Sequence, residues 1–175
     1  MPRNAGSEAT DFLLRYDPPE SSHEGRCLKM GGADDRQTRR DAVIPASWDQ
    51  FYAATSIPAA IRSGNVVRLT GHTGDRPDGT FSNDPEAQTR QTFENVALTL
   101  SEVGLQWSDV VEVTTYRVGL RAQGDIVLRV AAEFLDAPYP AWTDVGITDL
   151  FEADAVFEMS CVAVVGNEAR QTVDG

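Results

Sequence analysis

Residues 84–104, DPEAQTRQTFENVALTLSEVG, restrict the possible fold more than any other stretch of this chain. Asp84 can cap a helix, Pro85 fits its first position and Glu86 suits its first turn. Phe93, Val96, Ala97, Leu100 and Val103 recur at three- and four-residue spacing, and Gly104 supplies the stop. A helix that is apolar along one stripe must lie on something flat. A flat partner follows at once: DVVEVTTYRV, residues 109–118, is rich in β-branched residues and reads as a strand.

The remaining elements fall around this pair. FYAATSIPAAIR and VVRLTG flank Ser63-Gly64-Asn65 and read as two β-like runs joined in a hairpin. Asp78-Gly79 marks a second turn. A second helix is expected around 123–136, with Ile126, Val130 and Phe134 on one stripe, and two strands at about 141–148 and 155–165. The order β-β-(β)-α-β-α-β-β predicts an α+β sandwich of two layers, with both helices on one sheet face. AVFEMSCVAVV is apolar at most positions, so the opposite sheet face is expected to bury against a partner subunit. Residues 1–45 show no sustained period and read as a flexible N-terminal extension, in which Met30 offers a second possible start. The body spans 46–167, and 168–175 form a C-terminal tail.

Charge narrows the partners. Fifteen Lys plus Arg against 27 Asp plus Glu give a net charge of −12, and residues 1–41 carry only eight of those acids. A body this acidic repels a phosphate backbone, so no nucleic-acid partner is expected. Cys27 and Cys161 cannot build a disulfide framework, and neither has a Cys or His at metal-ligand spacing. No metal, no other cofactor and no membrane partner are expected, and the default location is cytoplasmic.

YPAWTDVGI, residues 139–147, poses the functional question. In a strand Trp142, Asp144 and Gly146 share one face and Thr143, Val145 and Ile147 the other, so an aromatic and a carboxylate stand side by side. Farther on, Glu158 alternates with Phe157 and Met159 and is therefore expected on the sheet side opposite the helices.

SGNVVRLTGHTG, QTRQTFENVALTLSEVGLQWSDVVEVTTYRVGL, YPAWTDVGITDL and FEMSCVAVV together resemble the Rid family, the YjgF-type reactive intermediate deaminases, from about Thr55 to Val165. The resemblance implies a chorismate-mutase-like α+β sandwich, a mixed sheet with two helices on one face. It also implies a homotrimer with a central barrel and small-molecule clefts between subunits. The family's best-known activity hydrolyses 2-imino or enamine acids to 2-keto acids and ammonia. Its members carry an Arg after the Pro-Ala of the next-to-last strand, which clamps the substrate carboxylate, and a Glu in the last strand, which positions water. Here Glu158 stands at the Glu position and Trp142 at the Arg position. A neutral indole cannot replace a bidentate guanidinium. Ile57 and Leu128 stand where a Tyr and an Asn are often found, and Thr70-Gly71-His72 replaces a frequent Ser-Gly-Gln.

Each candidate has a functional and a structural reading. Glu158 activates water or anchors a ligand, or else is tied into the subunit interface. Trp142 forms a stacking wall, or fills the interface. Asp144 lines the cleft, or is an edge-strand charge that opposes aggregation. Thr70 and Gly71 offer a backbone amide to an oxyanion. Arg68 stands in for the missing clamp, or pairs with Asp144 or Glu158. His72 carries protons, or is a turn residue without a role. Cys161 reads as core. The expected activity is hydrolytic deamination, or a related water or proton transfer, on an imine or enamine other than the simple 2-imino acids. The alternative is a non-catalytic small-molecule-binding or accessory protein.

Overall fold

A computed structural model describes residues 26–29, by their backbone, and 40–166. Eight strands form one sheet: β1 (Arg26–Lys29), β2 (Asp41–Ile44), β3 (Ala60–Ser63), β4 (Val66–Leu69), β5 (His72–Thr73), β6 (Val110–Val118), β7 (Ala141–Ile147) and β8 (Phe157–Val164). Their order is β1-β2-β3-β4-β8-β6-β7, with the short β5 pairing onto β8. Only β6 and β7 run parallel, so the sheet is mixed, as expected.

The long helix, α2 (Pro85–Ser101), forms for the reasons its sequence gives. Asp84 accepts a hydrogen bond from the Glu86 N–H at 3.0 Å, a cap contributing about 1 kcal/mol. Gly104, at φ 71°, follows its end in the left-handed conformation. Its stripe of Phe93, Val96 and Leu100 is fully buried against Val113, Phe157, Met159 and Cys161 of the sheet. Each such Phe or Leu contributes about 2–3 kcal/mol by leaving water.

Three sequence expectations change in detail. Phe51–Thr55, expected as part of a β-like run, lies in the helix α1 (Asp49–Thr55), closed by Ser56 at φ 60°; the strand is confined to Ala60–Ser63. The hairpin through Gly64 forms as expected, with Ser63 opposite Val66. The second helix is broken into α3 (Leu120–Gln123) and α4 (Ile126–Ala131), because Gly124 turns the chain at φ 47° between them. Finally, β1 and β2 lie within the stretch read as a flexible extension. Val43 and Ile44 are buried and β2 pairs with β3, so packed structure is present upstream of the boundary expected at residue 46. The rest of the proposed extension and the 168–175 tail lie outside the described residues.

Alternate residues of β8 are buried, and Phe157, Met159, Cys161 and Ala163 all face the helices. Glu158, Ser160, Val162 and Val164 therefore stand on the open face, each only partly exposed.

Candidate functional site

Register decides which candidates can meet. Thr115 of β6 lies opposite Met159 of β8 and opposite Asp144 of β7, so all three share the helix-facing side. Tyr116 lies opposite Glu158 and Val145, which share the open face. Within one subunit the sheet thus separates Glu158 from Trp142 and Asp144. No single face of the sheet within the chain holds all three.

Trp142 and Asp144 instead belong to a polar network under the helices. The Trp142 indole N–H donates to the Thr115 hydroxyl at 3.0 Å, and that hydroxyl donates to Asp144 Oδ1 at 2.8 Å. Arg117, a residue the sequence reading missed, donates to the same carboxylate through Nε at 3.1 Å and through Nη2. Its Nη1 donates to the Gly124 carbonyl at 3.2 Å. The Arg117 side chain is 6% exposed and that of Asp144 33%. The signal for Arg117 was its phase: it shares a face with Val113 and Thr115, both buried, and a buried guanidinium needs a carboxylate. The indole ring joins Phe93, at 6.3 Å between ring centres, and so extends the aromatic packing of Phe93 with Trp107 and Phe134.

Glu158 stands as expected, on the open face. Its carboxyl lies directly against Gly71: a Cβ added there would overlap the carboxylate oxygen and stand 2.6 Å from Glu158 Cδ. A side chain at this position would have to displace the flexible end of Glu158. Burial, and secondarily the nearby negative charge of Glu152, hold the Glu158 pKa above the ordinary carboxylate value. Among the described residues no cation pairs with it. Arg68 is on the same face but exposed, opposite Val162, four residues along β8 and so about 13 Å away. The alternatives of an Arg68 ion pair with Asp144 or Glu158 are therefore not realised. Tyr116 of β6 and Thr73 of β5 flank Glu158 in register, and neither was singled out in the sequence.

The short β5 is held over β8 by α2. Asn95 Nδ2 donates to the carbonyls of Thr73 at 2.9 Å and Asp75 at 3.0 Å. Gln88 donates to the Ser82 and Asp154 carbonyls and accepts from the Val156 N–H, which fixes the approach to β8. Thr70 is not a free oxyanion donor: its N–H donates to the Ala59 carbonyl at 2.9 Å and its hydroxyl to the Pro58 carbonyl at 2.7 Å. His72 is 1% exposed, with Nδ1 2.7 Å from the Thr70 carbonyl and Nε2 2.8 Å from the Thr99 hydroxyl. Burial lowers its pKa, and both ring nitrogens are occupied, so it is neither an idle turn residue nor an accessible proton carrier. Cys161 is core, its thiol pushed up to about 12 by burial.

A mixed sheet covered by helices on one side, with a partly buried carboxyl on the other, makes this an α+β protein with the architecture of the Rid/YjgF class. The chain belongs to that family: residues 49–165 match the family model Endoribonuclease L-PSP. The RutC family protein YjgH of Escherichia coli (strain K12) is 38% identical over 125 residues, 71% of this chain and 94% of that protein. Reactive Intermediate Deaminase A, chloroplastic, of Arabidopsis thaliana is 32% identical over 61% of this chain and 57% of its own length. A 2-iminobutanoate/2-iminopropanoate deaminase of Dermatophagoides farinae is 28% identical over 61% and 83%. Among solved structures, the protein YJGH superposes with a TM-score of 0.65 at 36% identity, over 72% of this chain and 96% of that one. RidA from an Antarctic Psychrobacter gives 0.60 at 25%, over 63% and 89%.

Proposed function

We propose that this protein is a homotrimer with small-molecule clefts between subunits, in which Glu158 promotes hydrolytic deamination of an imine or enamine other than the simple 2-imino acids. The observation that carries the proposal is the state of Glu158: a half-buried carboxyl, seated on Gly71, raised in pKa and without a paired cation among the described residues. Such a group can take a proton from water as the oxygen adds to a C=N carbon, and return it as nitrogen leaves. The balance is one imine plus one water giving one carbonyl compound plus ammonia. Two relatives bear deaminase names, which supports this chemistry.

The substrate follows from the cations. Trp142 occupies the place of the carboxylate clamp, Arg117 is committed to Asp144, and Arg68 is remote from Glu158. Among the described residues a ligand seated on Glu158 meets no guanidinium, which favours an uncharged imine over a 2-imino acid. Because Trp142 and Glu158 lie on opposite faces, a cleft containing both requires two copies of the chain. Light scattering should give three times the chain mass; a monomer at micromolar concentration would remove the shared cleft.

The activity test measures ammonia release from imines generated in place. An amine oxidase supplies uncharged imines and an amino-acid oxidase supplies iminopyruvate. Wild type is expected to hydrolyse the former, with loss of at least about tenfold in Glu158→Ala. Efficient Glu158-dependent turnover of iminopyruvate would overturn the substrate class. No acceleration over uncatalysed ammonia release with either set would favour a binding protein. That second reading has its own support: of the three candidate catalytic residues only Glu158 is on the open face, since His72 is buried and Asp144 is ion-paired. RNA cleavage is disfavoured by the charge of −12.

A further inference from the structure

We infer that His72 is a positioning residue for the Glu158 carboxyl, its Nδ1–H holding the Thr70 carbonyl so that the next residue, Gly71, presses against that carboxyl. The inference rests on Glu158 as the working group of the site, and it gives the buried imidazole a task that solvent-borne proton transfer cannot. A carbonyl oxygen only accepts, so the 2.7 Å contact with Thr70 places the ring hydrogen on Nδ1. Nε2 then accepts from the Thr99 hydroxyl of α2 at 2.8 Å, and the ring is backed by Trp48 at 4.7 Å between centres. Asp75 is the charged group acting on the ring, and it opposes the effect of burial.

Thr70 is gripped on every polar atom. Its N–H and hydroxyl are held by Ala59 and Pro58, and its carbonyl by His72. The peptide leaving that carbonyl leads directly into Gly71, which has no side chain with which to set its own distance from Glu158. Beyond it, the Thr73 and Asp75 carbonyls are held by Asn95. His72 is therefore the side chain that fixes the backbone on the near side of Gly71, and it ties that position to the long helix. If this strut loosens, Gly71 withdraws, water reaches the carboxyl and the cause of its raised pKa weakens.

Asparagine and glutamine separate the two ring contacts. The Asn amide places a donor near the Nδ1 position, whereas the Gln amide places one near Nε2. The experiment follows the Glu158 side-chain carboxyl by carbon NMR against pH, assigned with Glu158→Gln, in wild type, His72→Asn and His72→Gln. Wild type and His72→Asn should share a raised midpoint, and His72→Gln should fall by at least about 0.5 pH unit towards the ordinary range. An unmoved midpoint in folded His72→Gln, or an equal fall in both variants, overturns the inference. Should His72→Gln not fold, His72→Asn alone decides: a raised midpoint supports the strut and an ordinary one refutes it. The readout needs no turnover, so failure of the deamination assay leaves it intact.

Discussion

Asp144→Ala tests where this residue works. The substitution removes the carboxylate that accepts from Arg117 Nε, Arg117 Nη2 and the Thr115 hydroxyl, and leaves the guanidinium only the Gly124 carbonyl. Breaking a buried ion pair from one side costs about 3–5 kcal/mol, because the remaining charge stays out of water. Asp144 is one-third exposed, so water enters beside Arg117 once the carboxylate is gone. That reduces the expected loss to about 2–3 kcal/mol. For a domain of this size the melting temperature should fall by about 6–15 °C. Urea unfolding gives the free energy, and a double variant checks the cause. Arg117→Met with Asp144→Leu removes both charges and should recover most of the loss. A loss below about 0.5 kcal/mol, or a double variant no more stable than Asp144→Ala, would refute the buried-pair account. If Asp144 instead served a ligand cleft, the single variant would alter binding and leave stability in place.

The other predictions concern the open face and the core. Gly71→Ala should displace the flexible Glu158 carboxyl at a cost below about 1 kcal/mol, measured by urea unfolding, and should move the Glu158 midpoint, since the new methyl overlaps the end of that side chain. The raised Glu158 pKa means that the folded state holds its proton longer than the unfolded chain, so stability falls as pH rises from the ordinary carboxylate range through the folded value. Glu158→Gln should therefore be more stable than wild type at neutral pH, the gap closing as pH falls towards about 4. His72 carries the opposite linkage: its lowered pKa gives stability that is complete above about 6.5 and lost as pH falls through the folded value. Melts of His72→Asn should show less of this acid loss than wild type. With its thiol pushed up to about 12, Cys161 should resist alkylation in the native state of a Cys27→Ser variant and react on unfolding.

The sequence by itself determined whatever depends on neighbours along the chain. The cap at Asp84 and the stripe of Phe93, Val96 and Leu100 needed only helical spacing. The hairpin at Gly64 and the outward phase of Glu158 needed only local turn chemistry and strand alternation. The motifs from SGNVVRLTGHTG to FEMSCVAVV carried the family. The tertiary structure decided what depends on register and on distant partners. Alternation places Trp142 with Asp144 and separates Glu158 from Phe157, but it is silent on which sides of two different strands agree. Only the pairing of Thr115 with both Met159 and Asp144 put the sheet between them. Arg117 meets Asp144 across 27 positions and His72 meets Thr99 across 27, so neither contact leaves a mark at short range. β2 is four residues long, too short to show a period, and its burial arises from pairing with β3. Short-range spacing fixes the direction of each side chain within its own element; what that direction meets is fixed only when the elements pack.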